Sequence, residues 1–134
     1  MRKKVIFAIA AVVVLPAVVM GAGIIHSVLS VKNMEISEVD ISSLPDGVYR
    51  GREDYLGFAC KAEVTVSGHR IEDVRLSEDR TDAWVEKAKG VGTEVVKKQS
   101  LKVDAITGAT ITSKAMLKAI EKALKGQASG GKGE

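Results

Sequence analysis

Residues 5–25 read VIFAIAAVVVLPAVVMGAGII, apolar throughout and without a charge. At about 1.5 Å per residue this makes roughly 30 Å of helix, enough for one bilayer core. A soluble helix of that length would show a polar stripe, and none is present. Pro16 is compatible with a membrane helix. Beyond it, residues 32–45 read as a polar connector in which Ile36, Val39 and Ile41 can lay a short extended stretch on the domain. Pro45-Asp46-Gly47 is a turn signal. Residues 48–52 then suit a strand, and Ala62, Val64 and Val66 alternate with Lys61, Glu63, Thr65 and Ser67 at the period of a half-buried strand. Ser67-Gly68-His69 predicts a tight turn, with a return strand over 71–76; the spacing from Ile71 to Val74 breaks alternation and predicts a bulge.

The period changes after residue 81. Trp84, Val85, Ala88, Val91, Val95 and Val96 fall at helical spacing, interrupted near Gly90-Val91-Gly92, which predicts one broken or two short helices. Leu101-Lys102-Val103 reads as a short strand. Over 112–125, Met116, Leu117, Ile120, Ala123 and Leu124 line one face and lysines the other, with Gly126 as the stop. The pattern as a whole predicts an α+β fold, a small antiparallel sheet packed with helices, preceded by one N-terminal transmembrane helix. The expected organisation is a cytoplasmic tip and anchor at 1–31, a linker at 32–45, a folded domain at 46–125 and a Gly-rich disordered tail at 126–134.

Charge sets the expected orientation. Arg2, Lys3 and Lys4 precede the apolar run, whereas Lys32 after it is accompanied by Glu35, Glu38 and Asp40, so the positive-inside bias leaves the N-terminus in the cytoplasm and exports the domain. A cleaved signal peptide offers the same basic start, apolar stretch and small residues at Gly21, Ala22 and Gly23. The length of the stretch, and its resumption at Val28, Leu29 and Val31, favour an uncleaved anchor held by membrane lipid. Across all 134 residues, 20 Lys+Arg stand against 17 Asp+Glu, and aromatics are only 4%. Without a basic stripe interleaved with aromatics, nucleic acid is not an expected partner. Cys60 is the sole cysteine, which excludes an internal disulfide and a multi-cysteine zinc site; it reads as a small half-buried residue beside a strand. His26 and His69 have no companions at metal-ligand spacing, so no metal is expected.

The chemistry concentrates in residues 104–113, DAITGATITS, a hydroxyl-rich turn opening onto the last helix. Free backbone N–H groups and the positive end of the helix dipole favour an anion there, and Gly108 permits close backbone approach. The same residues also read as an ordinary helix N-cap by Thr112 or Ser113. No Ser/His/acid grouping makes a hydrolase site, so no catalytic residues are named, and no GxGxxG follows a strand.

Asp104-x-x-Thr107-Gly108-Ala109-Thr110, followed by Thr112-Ser113 and an Ala/Leu/Lys helix, resembles the flavinylation motif of the FMN-binding domain family. That family includes peripheral subunits of sodium-pumping NADH:quinone oxidoreductase and of Rnf electron-transfer complexes. The resemblance extends to Asp46-Gly47-Val48-Tyr49-Arg50-Gly51 and to the hairpin through Val74, and spans about residues 46–124. It implies covalent FMN, joined as a phosphoester to Thr110 by a separate flavin transferase, with Asp104, Thr107, Gly108, Ala109 and Thr112 shaping the recognition turn. It further implies an electron-transport protein, a carrier more than an independent enzyme, working between a membrane redox complex and an extracytoplasmic acceptor. Covalent attachment would let a small domain keep its cofactor outside the cell, while the flavin supplies redox chemistry that side chains lack. Tyr49, Tyr55, Phe58 and Trp84 are available to wall the isoalloxazine ring, each with an ordinary role in core packing; Tyr55 and Phe58, flanking Gly57, are the first candidates. An unflavinylated binding or scaffold module and a small reductase acting directly on an external acceptor are the competing expectations.

Overall fold

The structure, a computed structural model, describes residues 2–126. Helix α1 (Arg2–Lys32) continues unbroken through Pro16, with its apolar side chains exposed until the last turn, where Val31 is buried against the domain. This one helix is long and apolar enough to cross a membrane. Strands β1 (Gly47–Tyr55), β2 (Phe58–Ser67) and β3 (Arg70–Glu78) form an antiparallel sheet in the order β1-β2-β3. Helices α2 (Ala83–Ala88), α3 (Gly90–Lys98) and α4 (Thr110–Lys125) follow. The α+β architecture is the one the periodicities predict.

Alternation decides which face of the sheet is covered. Tyr49, Glu53 and Tyr55 on β1 and Cys60, Ala62, Val64 and Val66 on β2 are buried, with Ile71 on β3, under Met116, Ile120 and Leu124 of α4 and Val91 and Val95 of α3. Register places Val66 opposite Ile71 but Thr65 opposite Asp73, so Glu72 is the extra residue of the bulge that the Ile71–Val74 spacing predicts. Both hairpins turn on two left-handed residues, Gly68-His69 and Leu56-Gly57, the geometry that follows the twist of the strands. A leucine in the left-handed region costs roughly 1 kcal/mol, so Leu56 does not sit there for the backbone's benefit. Helix α3 ends in a left-handed Gln99, whose side-chain amide accepts from Ile71 N–H at 2.8 Å and donates to Ile71 C=O at 2.9 Å.

Gly51 is required by close approach, not by conformation. A Cβ there would fall inside the backbone of Ala119 and Ala123, so β1 and α4 meet main chain to main chain. The alanines on that face of α4 make the approach feasible from the other side.

Residues between α1 and β1 are pinned along α4. Lys114 Nζ donates to Lys32 C=O at 2.5 Å, Lys118 Nζ to Glu35 C=O at 3.3 Å, and Ser37 N–H to Glu121 Oε2 at 3.2 Å. Burial pushes the Glu121 carboxyl up, but Lys125, Lys118 and the Ser37 N–H outweigh it and hold its pKa below the ordinary value. Glu38 accepts from Ser100 Oγ and from Leu101 N–H, and Ile41 is buried in a short 3₁₀ turn (Ile41–Ser43).

Several local expectations are corrected. Residues 101–103 form no strand; Leu101 is buried in the core and Val103 packs against it, on an irregular path. The two short helices expected over 82–98 are present as α2 and α3, with the break at Lys89, beside Gly90, where the Asp82-capped α2 ends. β1 is longer than 48–52 because its outward charged residues pair across to β2 as far as Tyr55 opposite Phe58. The expected tail lies, after Gly126, outside the described residues. Cys60 is not half-buried but completely enclosed in β2; burial first, then the carboxylates of Glu78 and Glu53, push its thiol up to about 12. Its raised pKa makes the native contribution full at neutral pH, and that contribution declines above about 9, where an unfolded thiol ionises. The native protein is expected to leave a thiol reagent unconsumed at pH 8 and to take up one equivalent on unfolding; rapid uptake by the native protein would contradict the enclosure.

Candidate functional site

The turn before α4 is built by three hydroxyl residues with three different jobs. Ala109 N–H donates to Ile106 C=O at 2.9 Å, closing a four-residue turn whose third position, Gly108, has φ +80. That position needs a left-handed residue, as in a type II turn, so Thr107-Gly108 is a backbone requirement as well as a sequence motif. Ser113 is buried, and its Oγ accepts from Ile106 N–H at 3.1 Å, tying the turn to the first coil of α4. Thr112 points inward to a polar network. Thr110 is exposed at the first position of the helix.

This corrects the N-cap reading of Thr112 and Ser113. The cap is Ala109, which offers no side-chain bond, and both hydroxyl residues lie inside the helix with other partners. The first-turn N–H groups of α4 therefore keep their donor capacity toward the space in front of the helix.

That space is a cavity of about 420 Å³ lined by Tyr55, Leu56, Arg80, Trp84 and residues 108–112, within the roughly 300–1,000 Å³ of ligand clefts. Glu78, whose side chain has no solvent exposure, accepts from Arg80 Nε at 2.6 Å and from the Tyr55 phenol at 2.7 Å. Arg80 Nη2 donates to the Tyr55 oxygen and to Thr112 Oγ1, both at 3.0 Å. The guanidinium lies 4.6 Å from the centre of the Phe58 ring. Burial and the Glu78 bond push the Tyr55 phenol up to about 12, against the opposing influence of Thr112 and Arg80, so it stays protonated at physiological pH. Arg80 is thus a guanidinium fixed at the cavity wall, paired with the buried Glu78 from behind and with Asp82 at 3.5 Å.

Helix α2 supplies the opposite side. A Cβ on Gly108 would lie 3.2 Å from Lys87 Nζ and 3.7 Å from Trp84 Cζ3, so the glycine leaves a cradle between turn, ammonium and indole. Trp84 is 55% exposed, a large cost for an indole that contributes nothing to the core. An open aromatic face, a fixed cation and a helix N-terminus in one cavity fit a flat apolar ring carrying a phosphate; FMN has that form.

The structure brings Gly108, Ala109, Thr110 and Thr112 together in this cavity. Asp104 and Thr107 line a neighbouring hollow with Lys87, Glu94 and Lys98, on the outer side of the turn. Among the aromatics, Tyr55 is at the cavity as expected. Phe58 lies under Arg80 and does not line it, and Tyr49 is a core residue donating to Pro45 C=O at 2.6 Å. Trp84, ranked behind Tyr55 and Phe58 from sequence, takes that place, because the capped turn Asp82-Ala83-Trp84 directs α2 across the mouth. Arg80 and Glu78 had no sequence signal beyond an ordinary charged strand end.

Comparison with known proteins bears on the family of the chain. A sequence model of the FMN-binding domain family matches residues 56–125, from the tip of the first hairpin to the end of α4. The chain is 33% identical over 88 residues to an uncharacterized protein of Treponema pallidum (strain Nichols), a match covering 63% of this chain and 24% of the relative. The chain thus spans about a quarter of the length of that curated relative. A crystal structure of a protein from Clostridium perfringens is 28% identical, with a TM-score of 0.49 over 61% of this chain and 87% of that one. Matched over more than half its length by the family's model, with the turn and α4 inside the match, the chain belongs to the FMN-binding domain family.

Proposed function

We propose that this protein is a membrane-anchored, extracytoplasmic electron carrier that bears FMN as a phosphoester on Thr110. The observation that carries the reading is the exposed Thr110 hydroxyl at the rim of an aromatic-lined, cationic cavity, on a helix start that no side chain caps. FMN supplies reversible one- and two-electron chemistry when bound. The chain's own residues would hold it: the first-turn N–H groups of α4 and Lys87, beside Gly108, would receive the phosphate, Tyr55 and Trp84 would offer the ring apolar walls, and Arg80, paired with Glu78 and Asp82, would offer its guanidinium as a hydrogen-bond donor at the cavity wall. Asp104 and Thr107, exposed on the outer side of the turn, would be the residues that a flavin transferase reads.

The scaffold alternative rested on threonines that cap α4; with Ala109 at the cap, that support is gone. Intact mass decides between the two. The full chain, purified from membranes of a host with an active flavin transferase, should be heavier by one FMN less one water and stay yellow when denatured. A colourless, unmodified chain would leave the scaffold as the better account.

Export follows from the charges that flank α1. Because Cys60 is enclosed, a Ser129→Cys label reports alone: it should react with an impermeant thiol reagent in intact cells. Reaction only after lysis would reverse the orientation.

A further inference from the structure

Outside α1, the large apolar side chains exposed among the described residues are Leu56 and Trp84, and both stand at the mouth of the Thr110 cavity. One comes from the β1–β2 hairpin and the other from α2, so the coincidence is not one of sequence neighbourhood. An exposed leucine and tryptophan side by side, with Lys87 beside them, are the composition of a surface seated at a lipid interface.

The path of the chain out of α1 shows which membrane would meet them. Lys114, Lys118 and Glu121 of α4 bond, in that order, to Lys32, Glu35 and Ser37. The chain leaving α1 therefore runs along α4 from its N-terminal part toward its C-terminal part. Followed backward, the same register carries α4 from Lys114 to Thr110, toward the end of α1, over about 6 Å. The apolar span ends at residue 25, and Lys32 lies about 10 Å farther along α1, near the outer limit of the headgroups. Thr110 and its cavity are thus at the end of α4 nearest to where the chain leaves α1.

We infer that the rim formed by Leu56 and Trp84 rests on the lipid surface of the membrane that α1 crosses, so that the cavity opens at the headgroup layer. The inference rests on α1 being a membrane span, and it is independent of whether Thr110 carries a flavin. With the flavin of the proposed function in place, a redox partner would then reach the cavity along the membrane surface and not from bulk water.

Trp84 is the sole tryptophan of the chain, so its fluorescence reports the rim without interference. The experiment takes the full, unflavinylated chain in vesicles of phosphatidylcholine and phosphatidylglycerol, with and without bromine on the upper acyl carbons, and separates bound protein by flotation. Trp84 emission should be quenched by the brominated lipid and shielded from aqueous iodide. A chain that floats with the vesicles while Trp84 is quenched by iodide and not by bromine overturns the seating and leaves the anchor standing. A chain that does not float overturns both.

Discussion

Thr110→Ala is expected to yield a colourless protein of unmodified mass from cells in which the wild-type chain comes out yellow. The loss should be complete, because the proposed ester has a single acceptor oxygen and the hydroxyls of the next residues in α4 are committed elsewhere: Thr112 Oγ1 to Arg80 and Ser113 Oγ to Ile106 N–H. Fold and membrane association should survive. Thr110 is exposed and its side chain caps nothing, so the change should stay within about 0.5 kcal/mol. Thr110→Ser restores an oxygen at the same place and should restore the adduct. Thr112→Ala is a different lesion from a loosened helix start: it removes an acceptor from Arg80, and should lower the yield of modification without abolishing it. Full flavinylation of Thr110→Ala would relocate the attachment point and sink the assignment.

Gly51→Ala should be the most damaging single methyl in the domain. The added carbon meets the main chain of Ala119 and Ala123, which cannot rotate away, so β1 and α4 must separate along their contact. Overpacking typically costs about 1–3 kcal/mol, and a clash with main chain belongs at the upper end, about 3 kcal/mol, a large share of the roughly 5–15 kcal/mol that holds a domain together. At roughly 4–8 °C per kcal/mol for a domain of this size, thermal unfolding should fall by on the order of 12–24 °C. Gly92→Ala is the comparison: there the nearest atoms are side-chain carbons of Leu76 and Val74 at 3.2 Å, which can yield, and the loss should be much smaller. Equal melting temperatures for the two variants would show that β1 and α4 do not meet as described.

The sheet was legible because its signals are local. Two-residue alternation in 62–67 and the Gly68-His69 turn determine a hairpin without reference to the rest of the chain, and the irregular spacing of Ile71 and Val74 marked a bulge whose extra residue, Glu72, only the register identifies. The apolar run of α1 was equally plain. What misled was the region where long-range contacts outweigh propensity. Leu101 and Val103 look like a strand by composition, yet Glu38 holds the backbone at Leu101, from sixty-three positions earlier, and the segment joins neither edge of the sheet. The turn at 104–110 was found by its residues, but the division of labour among its hydroxyls depends on Glu78, the last residue of β3, and on Arg80 just after it. Their charges look like any solvated strand terminus until Tyr55 and Thr112 are brought beside them.

The side chain of Gln99 has a consequence for how copies of this protein coexist. β3 is an edge strand, and such an edge is a template on which another strand can align and extend the sheet. At Ile71 that template is already read: an amide with the shape and polarity of a peptide unit satisfies both its N–H and its C=O. An incoming strand would have to evict Gln99, and break its further bond to Val96 C=O, before it could begin a ladder there. A chain crowded with its own kind in a two-dimensional layer thus has, in one glutamine, a guard against growing into fibres.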